Sequence, residues 1–315
     1  MKLLVLTLFS LPVIATFLDL ILGDPRRLPH PVRLLGRWLD WLEGRARRWT
    51  PGLKASGALC VLLTAGGAWA AVEFFTGLQY VGMLASLYFA YAGLALGELL
   101  HEGRDALELI EEGKLEEARQ AVGGLVSRET SAMDGPELRK TLAETLSENL
   151  CDGYVAPLFY LVLGGPALLW AYKAVSTMDS MWGYRTERFR DLGWAAARAD
   201  DLLAYLPARL TAAFLLLAGA LMGLPWRQAL RHIPAEARSM DSPNAGWPMS
   251  ACAWLLEGSM GGAAIYFGEA KMKPELGPKG LEWSVEKLKR IFRLMVFTAL
   301  LGLFAFQAVR VFSTL

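Results

Sequence analysis

Lys173, Asp179, Arg185, Arg188, Arg198, Asp200 and Asp201 lie in one stretch, Tyr172 to Asp201, between two long apolar runs. Nine charged residues fall between Ser176 and Ala204. At roughly 2.5 to 3.5 kcal/mol each at a bilayer centre, such groups cannot face lipid. They must stand in water, line a polar cavity or pair with one another. A site for charged ligands and a structural salt-bridge network both satisfy that rule. Lys173, at the end of an apolar run, either snorkels to the interface or meets a phosphate.

Glu144, Glu148 and Asp152 recur every four residues and would share one helix face. Carboxylates so spaced can hold Mg²⁺, which takes oxygen ligands and often bridges protein acids to phosphates. The plain alternative is a solvated acidic face. Asp24 follows Gly23 and precedes Pro25, with His30, Pro31 and Arg33 just beyond. The prolines would hold Asp24 and Arg33 in a rigid turn, although a stop signal and a positive anchor would explain Arg26, Arg27 and Arg37 equally well. Ser242-Pro243-Asn244-Ala245-Gly246-Trp247-Pro248 is another rigid turn, offering an amide (Asn244) and an indole (Trp247) for recognition, or simply breaking a helix at a membrane surface. There is no GxxxxGK[ST] phosphate loop, no GxGxxG, no HExxH and no G-x-S-x-G elbow. A nucleotide would have to be held by some other arrangement of Arg, Lys, backbone amides and metal.

The elements that must position these groups are membrane helices. Hydrophobic residues make up 54% of the chain and are gathered in blocks long enough to cross a hydrocarbon core of about 30 Å. The clear spans are 3–22, 55–75, 78–100 and 291–309; 154–175, 206–224 and 246–267 are less regular. Gly164-Gly165-Pro166 interrupts the first of these three and Glu257 lies in the last, so both read as broken or re-entrant elements. The expectation is an all-α polytopic membrane protein with about five to seven membrane segments. It forms a single integral membrane domain over 1–315, with a cytoplasmic helical insertion at 101–152 and a cytoplasmic-side loop region at 225–289 that includes an embedded segment at 246–267. The first span reads as retained, not as a cleaved signal.

Basic residues outnumber acids eight to three between Gly23 and Lys54, and Lys287, Lys289, Arg290 and Arg293 precede the last span. Both clusters belong in the cytoplasm by the positive-inside rule, which puts the N-terminus outside. Simple crossing arithmetic then places 176–204 on the far side unless the Gly-Gly-Pro segment is re-entrant. Three separated cysteines give neither a disulfide framework nor a CxxC pair, and the three scattered histidines read as packed or interfacial side chains. A net charge of +1 gives no reason to expect a nucleic-acid partner.

Several motifs occur in order: Gly23-Asp24-Pro25 with His30-Pro31-x-Arg33, Ser127-Arg128-Glu129-Thr130, Glu144 through Pro157, and Tyr172-Lys173-Ala174-Val175-x-Thr177-x-Asp179-Ser180-Met181. Gly183-Tyr184, Glu187-Arg188, Asp200-Asp201, Pro207-Ala208-Arg209-Leu210, the Asn244–Trp247 turn and Tyr266-Phe267-Gly268-Glu269 continue the series. Together they resemble the cobalamin-biosynthesis membrane protein family known as CobD or CbiB. Leu150-Cys151 and Trp182 depart from its usual pattern.

The resemblance implies an adenosylcobinamide-phosphate synthase of the cytoplasmic (inner) membrane. Such an enzyme joins adenosylcobyric acid to 1-amino-2-propanol or its O-phosphate and consumes ATP with Mg²⁺. Other late cobalamin-pathway enzymes are the expected protein partners. Under it, Glu144, Glu148 and Asp152 are assigned to Mg²⁺, and Lys173, Arg185 and Arg188 to phosphates. Asp179 or Asp200 is assigned as base or second metal ligand, Asp24, Arg33 and Arg198 to substrate or phosphate, and Asn244 and Trp247 to the corrinoid or amino alcohol. The charged segment 172–201 would then converge with the 144–152 face. The rivals are a non-catalytic membrane signalling protein like AmpE and, with less support, a corrinoid transporter.

Overall fold

The computed structural model describes residues 2–25, 30–49, 52–266 and 268–314. Arg26, Arg27 and Phe267, which figure in the sequence reading, lie outside them. The chain forms two compact units, each assembled from separate stretches: 1–97, 156–204 and 305–315 make the first, 98–155 and 205–304 the second.

The first unit begins with α1 (Lys2–Leu22), α2 (Pro31–Ala46), α3 (Leu53–Thr76) and α4 (Gly82–Ala92). Helix α5 (Leu96–Glu111) starts at its boundary and continues as the first element of the second unit. Thr76-Gly77, which falls between the spans read as 55–75 and 78–100, ends α3, and Gly82 starts α4 packed over the Thr76 carbonyl, where a Cβ would sit 2.3 Å away. The apolar run 78–100 is interrupted between α4 and α5. The second unit adds α6 (Leu115–Leu125) and α7 (Gly135–Leu150). Helix α7 opens on a reciprocal capping box between Asp134 and Glu137, with Pro136 in its first turn. A π-helical turn, Cys151–Val155, then leads into α8 (Ala156–Trp182) of the first unit.

Helix α8 bends where the sequence predicts. Gly164 and Gly165 are non-helical, Gly165 at φ 74°, and Pro166 follows. Helix α9 (Trp194–Leu203) completes the first unit's main body, in which α3, α4 and α9 pack on α8. Its core gathers Leu39, Leu42, Cys60, Met178, Trp182, Leu192 and Ala196. Two glycines permit the close approaches: a Cβ at Gly57 would meet the Leu192 carbonyl oxygen at 2.0 Å, and one at Gly193 the Trp182 carbonyl at 1.8 Å.

The second unit continues with α10 (Tyr205–Leu221), α11 (Trp226–Ser239), α12 (Gly246–Leu255), a hairpin of β1 (Met260–Tyr266) and β2 (Glu269–Leu276), and α13 (Val285–Thr314), whose last residues belong to the first unit. Segment 246–267, read from sequence as one embedded apolar element, is a ten-residue helix followed by a strand. Gly261 and Gly262 both have φ near +85°, which stops a helix, and a bulge there lets Gly261 pass 2.1 Å from Pro274 O where a Cβ would stand. This hairpin is the one departure from helix among the described elements. Four described helical stretches are long and apolar enough to cross a membrane: 53–76, 82–111, 135–182 and 285–309. Counting α9 with α10 as one bent span makes five, and 11–22 of α1 is a shorter apolar stretch. The fold is that of a multi-pass helical membrane protein.

Candidate functional site

In the first unit the chemistry gathers round the turn that follows α1. The Asp19 carboxyl oxygen Oδ2 accepts from the backbone N–H groups of Leu96 and Gly97, both at 3.0 Å, and so caps the start of α5. Gly97 is obligatory there, because a Cβ would lie 1.8 Å from the Asp19 carbonyl oxygen. Four residues on, Gly23 turns the chain at φ 55°, and its carbonyl accepts from the Tyr91 hydroxyl at 2.5 Å. Asp24 is thus presented from a fixed turn. His30 caps α2: its Nδ1 accepts from the Val32 N–H at 3.3 Å and its Nε2 lies 3.4 Å from Asp24 Oδ1. His30 thus stands directly beside Asp24. Lys173 on α8 lies within electrostatic range of Asp19, and Asp24 within range of Tyr88.

Further along α8, Tyr172 stacks on Tyr160 with centroids 4.8 Å apart, and the Tyr160 hydroxyl donates to Leu203 O at 2.8 Å. Asp200 lies beside Tyr160 electrostatically, and Asp179 beside Asp201. Arg198 reaches Asp201 at 3.5 Å, with Arg185 also in range. Gly183 closes on Asp179: its N–H meets the Asp179 carbonyl at 2.6 Å, and a Cβ would sit 2.1 Å from Oδ1. Asp179, Asp200, Asp201, Arg185 and Arg198 therefore stand in one neighbourhood. Arg188 stands apart, forked onto Glu43 at 2.9 and 2.8 Å, while Arg47 reaches the same carboxylate at 2.9 Å. The Arg188 guanidinium holds the Glu43 carboxyl below the usual glutamate range against the opposing effect of burial, with Arg47 adding to it. A phosphate would have to displace Glu43 from Arg188. Arg33 is exposed on the first turn of α2.

The second unit holds Glu144, Glu148 and Asp152. Glu144 is buried, its Oε2 2.5 Å from Arg128 Nη2 and its Oε1 accepting the Gly261 N–H at 2.6 Å. Burial alone would lower the Arg128 pKa, but the charge and hydrogen bond of Glu144, with Tyr266 and Glu148, together outweigh it and hold the guanidinium more firmly protonated. Glu148 has Lys273, Glu144 and Arg128 as its charged neighbours. Arg128 and Lys273 both lie over the Tyr266 ring, at 5.9 and 5.1 Å, and Lys140 donates to the Gly261 carbonyl at 3.0 Å. Of the three acids that the four-residue spacing set on one face, Glu144 and Glu148 are electrostatic neighbours. Asp152 lies in the π turn that follows α7. Among the described residues no three acids, histidines or cysteines gather as a metal site. Glu144 serves a guanidinium and an amide, so this set does not fit a resident Mg²⁺.

Asn244 and Trp247 do come together, round Arg209. The guanidinium lies 3.3 Å from the Tyr205 ring centroid and 4.7 Å from that of Trp247, and Nη1 donates to Asn244 Oδ1 at 3.3 Å. Glu236 on α11 ties three places together, accepting from Ser250 Oγ at 2.6 Å, Trp254 Nε1 at 2.8 Å and the Gly277 N–H at 3.0 Å. Sequence reasoning singled out neither Glu236 nor Asp19. Asp19 did leave a signal, a lone carboxylate inside an apolar run.

Ionisable groups fixed on apolar helices by backbone amides, tyrosines and arginine forks define a helical membrane protein with polar sites inside its units, not a simple lipid-facing bundle. A family model described as CobD/CbiB protein matches residues 12–295, and the chain belongs to that family. It is 41% identical over 271 residues, 84% of either chain, to the cobalamin biosynthesis protein CobD of Geobacter metallireducens. It is 36% identical over 305 residues to the cobalamin biosynthesis protein CbiB of Salmonella choleraesuis, covering 94% of this chain and 96% of the relative. A CobD protein of Photorhabdus laumondii is 35% identical over 304 residues, 94% and 95% of the two chains. No solved structure matches the chain.

Proposed function

We propose that this protein is the amide-forming ligase of its family: in the cytoplasmic membrane it joins adenosylcobyric acid to 1-amino-2-propanol or its O-phosphate at the expense of ATP. Membership of the CobD/CbiB family supports a role in cobalamin biosynthesis. The observation that carries the finer reading is Asp24, set just after the Gly23 turn that the Tyr91 hydroxyl fixes, with His30 3.4 Å away. A carboxylate is a poor electrophile, and phosphorylation to an acyl phosphate supplies a leaving group that the amine then displaces. The chain's residues would orient the substrates, neutralise phosphoryl oxygens and accept the ammonium proton.

In this reading Asp24 binds and deprotonates the ammonium, His30 keeps it oriented, and Lys173, Arg185 and Arg198 face phosphate. Asp179 and Asp200 stand as the alternative bases. Mg²⁺ would arrive with the nucleotide phosphates, which need only one or two protein carboxylates beside them. The test is ATP-dependent amide formation by detergent-purified protein, with product followed by mass. Asp24→Asn and Lys173→Ala, folded as wild type, are each expected to lower the rate at least about 100-fold, the scale of general acid–base catalysis. Full activity in either removes that residue's role. Absence of a hydroxamate on trapping with hydroxylamine would count against the acyl phosphate.

A further inference from the structure

Helices α5 and α13 of the second unit leave a cleft of about 620 Å³ that the proposed reaction does not use. Residues 104, 107, 108 and 111 of α5, and 289, 292, 293, 296 and 297 of α13, line it. Each set recurs at three- and four-residue steps, so each is one continuous helix face. Gly103 brings the two helices close, since a Cβ there would stand 3.1 Å from the Phe292 ring. The cleft is graded along its length. Along α13 the lining passes from Lys289, Phe292 and Arg293 to the apolar Val296 and Phe297, while α5 contributes the charges of Arg104, Glu108 and Glu111 around Leu107.

The grading coincides with the start of a span. Residues 294–309 carry no charged side chain, and 285–309 is apolar enough to cross a membrane. From Lys289 to Phe297 the helix rises about 12 Å, so the cleft runs from the headgroup layer into the acyl region. Lys289 is neutralised by Glu111 at 2.6 Å. Arg104, which stacks over Phe292 at 5.6 Å, and Arg293 then outnumber Glu108, and Arg290 is adjacent.

We propose that this cleft is a binding site for an anionic phospholipid, its phosphate on Arg104 and Arg293 and an acyl chain along Phe292, Val296 and Phe297. Basic pockets between helices at the positively charged side of a membrane bind such headgroups, each cation contributing about 1 kcal/mol, or about fivefold. The apolar floor selects a lipid over a free anion.

Native mass spectrometry of the full chain in detergent tests this, titrating phosphatidylglycerol and phosphatidylcholine of equal acyl length, and inorganic phosphate as competitor. Phosphatidylglycerol should be retained at least about fivefold better. Arg104→Gln with Arg293→Gln should abolish the preference, and Val296→Trp, which fills the floor, should lower binding of both lipids. Equal retention of the two lipids by the wild type, an unchanged preference in the double variant, or displacement by millimolar phosphate would each overturn the proposal. Thermal unfolding without lipid checks that the variants fold. If the double variant does not, the wild-type comparison and Val296→Trp decide.

Discussion

The pair Arg128–Glu144 is the place where the structure makes its sharpest energetic demand. Both side chains are buried, at 8% and 1% exposure, and Glu144 also receives the Gly261 N–H of the hairpin bulge. Two charges withdrawn from water are held by one another, so removing either strands the other. The expected cost of Glu144→Leu, or of Arg128→Met, is about 3 to 5 kcal/mol. Glu144→Gln keeps an acceptor for the Gly261 amide and loses only the charge, so it should cost less, about 1.5 to 3 kcal/mol. The double variant Arg128→Met/Glu144→Leu should recover most of the loss, because an apolar pair of similar volume removes both desolvation penalties. Reversible SDS titration in mixed micelles, followed by circular dichroism, gives all four corners of the cycle. The same titration in millimolar Mg²⁺ should leave wild type and Glu144→Gln equally unaffected, since no resident ion is linked to this carboxylate. Single variants within about 1 kcal/mol of wild type, additive losses, or a Mg²⁺-dependent gain confined to the wild type would refute the assignment of Glu144 to Arg128.

Two other perturbations probe the first unit. Gly97→Ala forces a Cβ onto the Asp19 carbonyl, so thermal stability should fall and activity drop at least about tenfold, as expected for displacing catalytic groups; unchanged melting and turnover would show that the cap does not hold the Asp24 turn. Glu43 is held below its ordinary value by Arg188 first and Arg47 second, so its contribution to stability is full above the unfolded glutamate pKa and is lost as pH falls through the lower folded one. Unfolding midpoints measured from pH 7 down to about 3 should converge for wild type and Glu43→Gln at the acid end, and a pH-independent gap between them would contradict this.

Much of the helical architecture is legible in the sequence because it rests on local rules. Apolar length gives α3 and α13, Thr76-Gly77 ends a helix, and Gly164-Gly165-Pro166 bends α8 where three residues unsuited to a straight helix coincide. The hairpin was hidden because 260–266 is as apolar as the helix before it. Only the positive φ of Gly261 and Gly262, a backbone property, separates the two. The candidate sites were half visible. Motifs marked Asp24, Lys173 and Asp179, yet what fixes Asp24 is a set of long-range partners, Tyr91 and the amides of Leu96 and Gly97, that no local spacing encodes. The i, i+4 pattern put Glu144 and Glu148 side by side, but nothing in that spacing marked the π turn that carries Asp152 or the Arg128 that pairs with Glu144.

Asp19 also bears on how the chain enters the membrane. Its partners lie 77 and 78 residues downstream, so α1 is made and delivered to the bilayer long before the amides of Leu96 and Gly97 exist. Until then an aspartate sits one turn from the end of an apolar segment, at a cost below the roughly 2.5 to 3.5 kcal/mol of a bilayer-centre position. The first helix is thus a weaker anchor on its own than once α4 and the start of α5 have arrived. Its hold strengthens with synthesis of the rest of its unit, and a truncated chain ending before Leu96 would hold its N-terminal helix in the membrane less firmly.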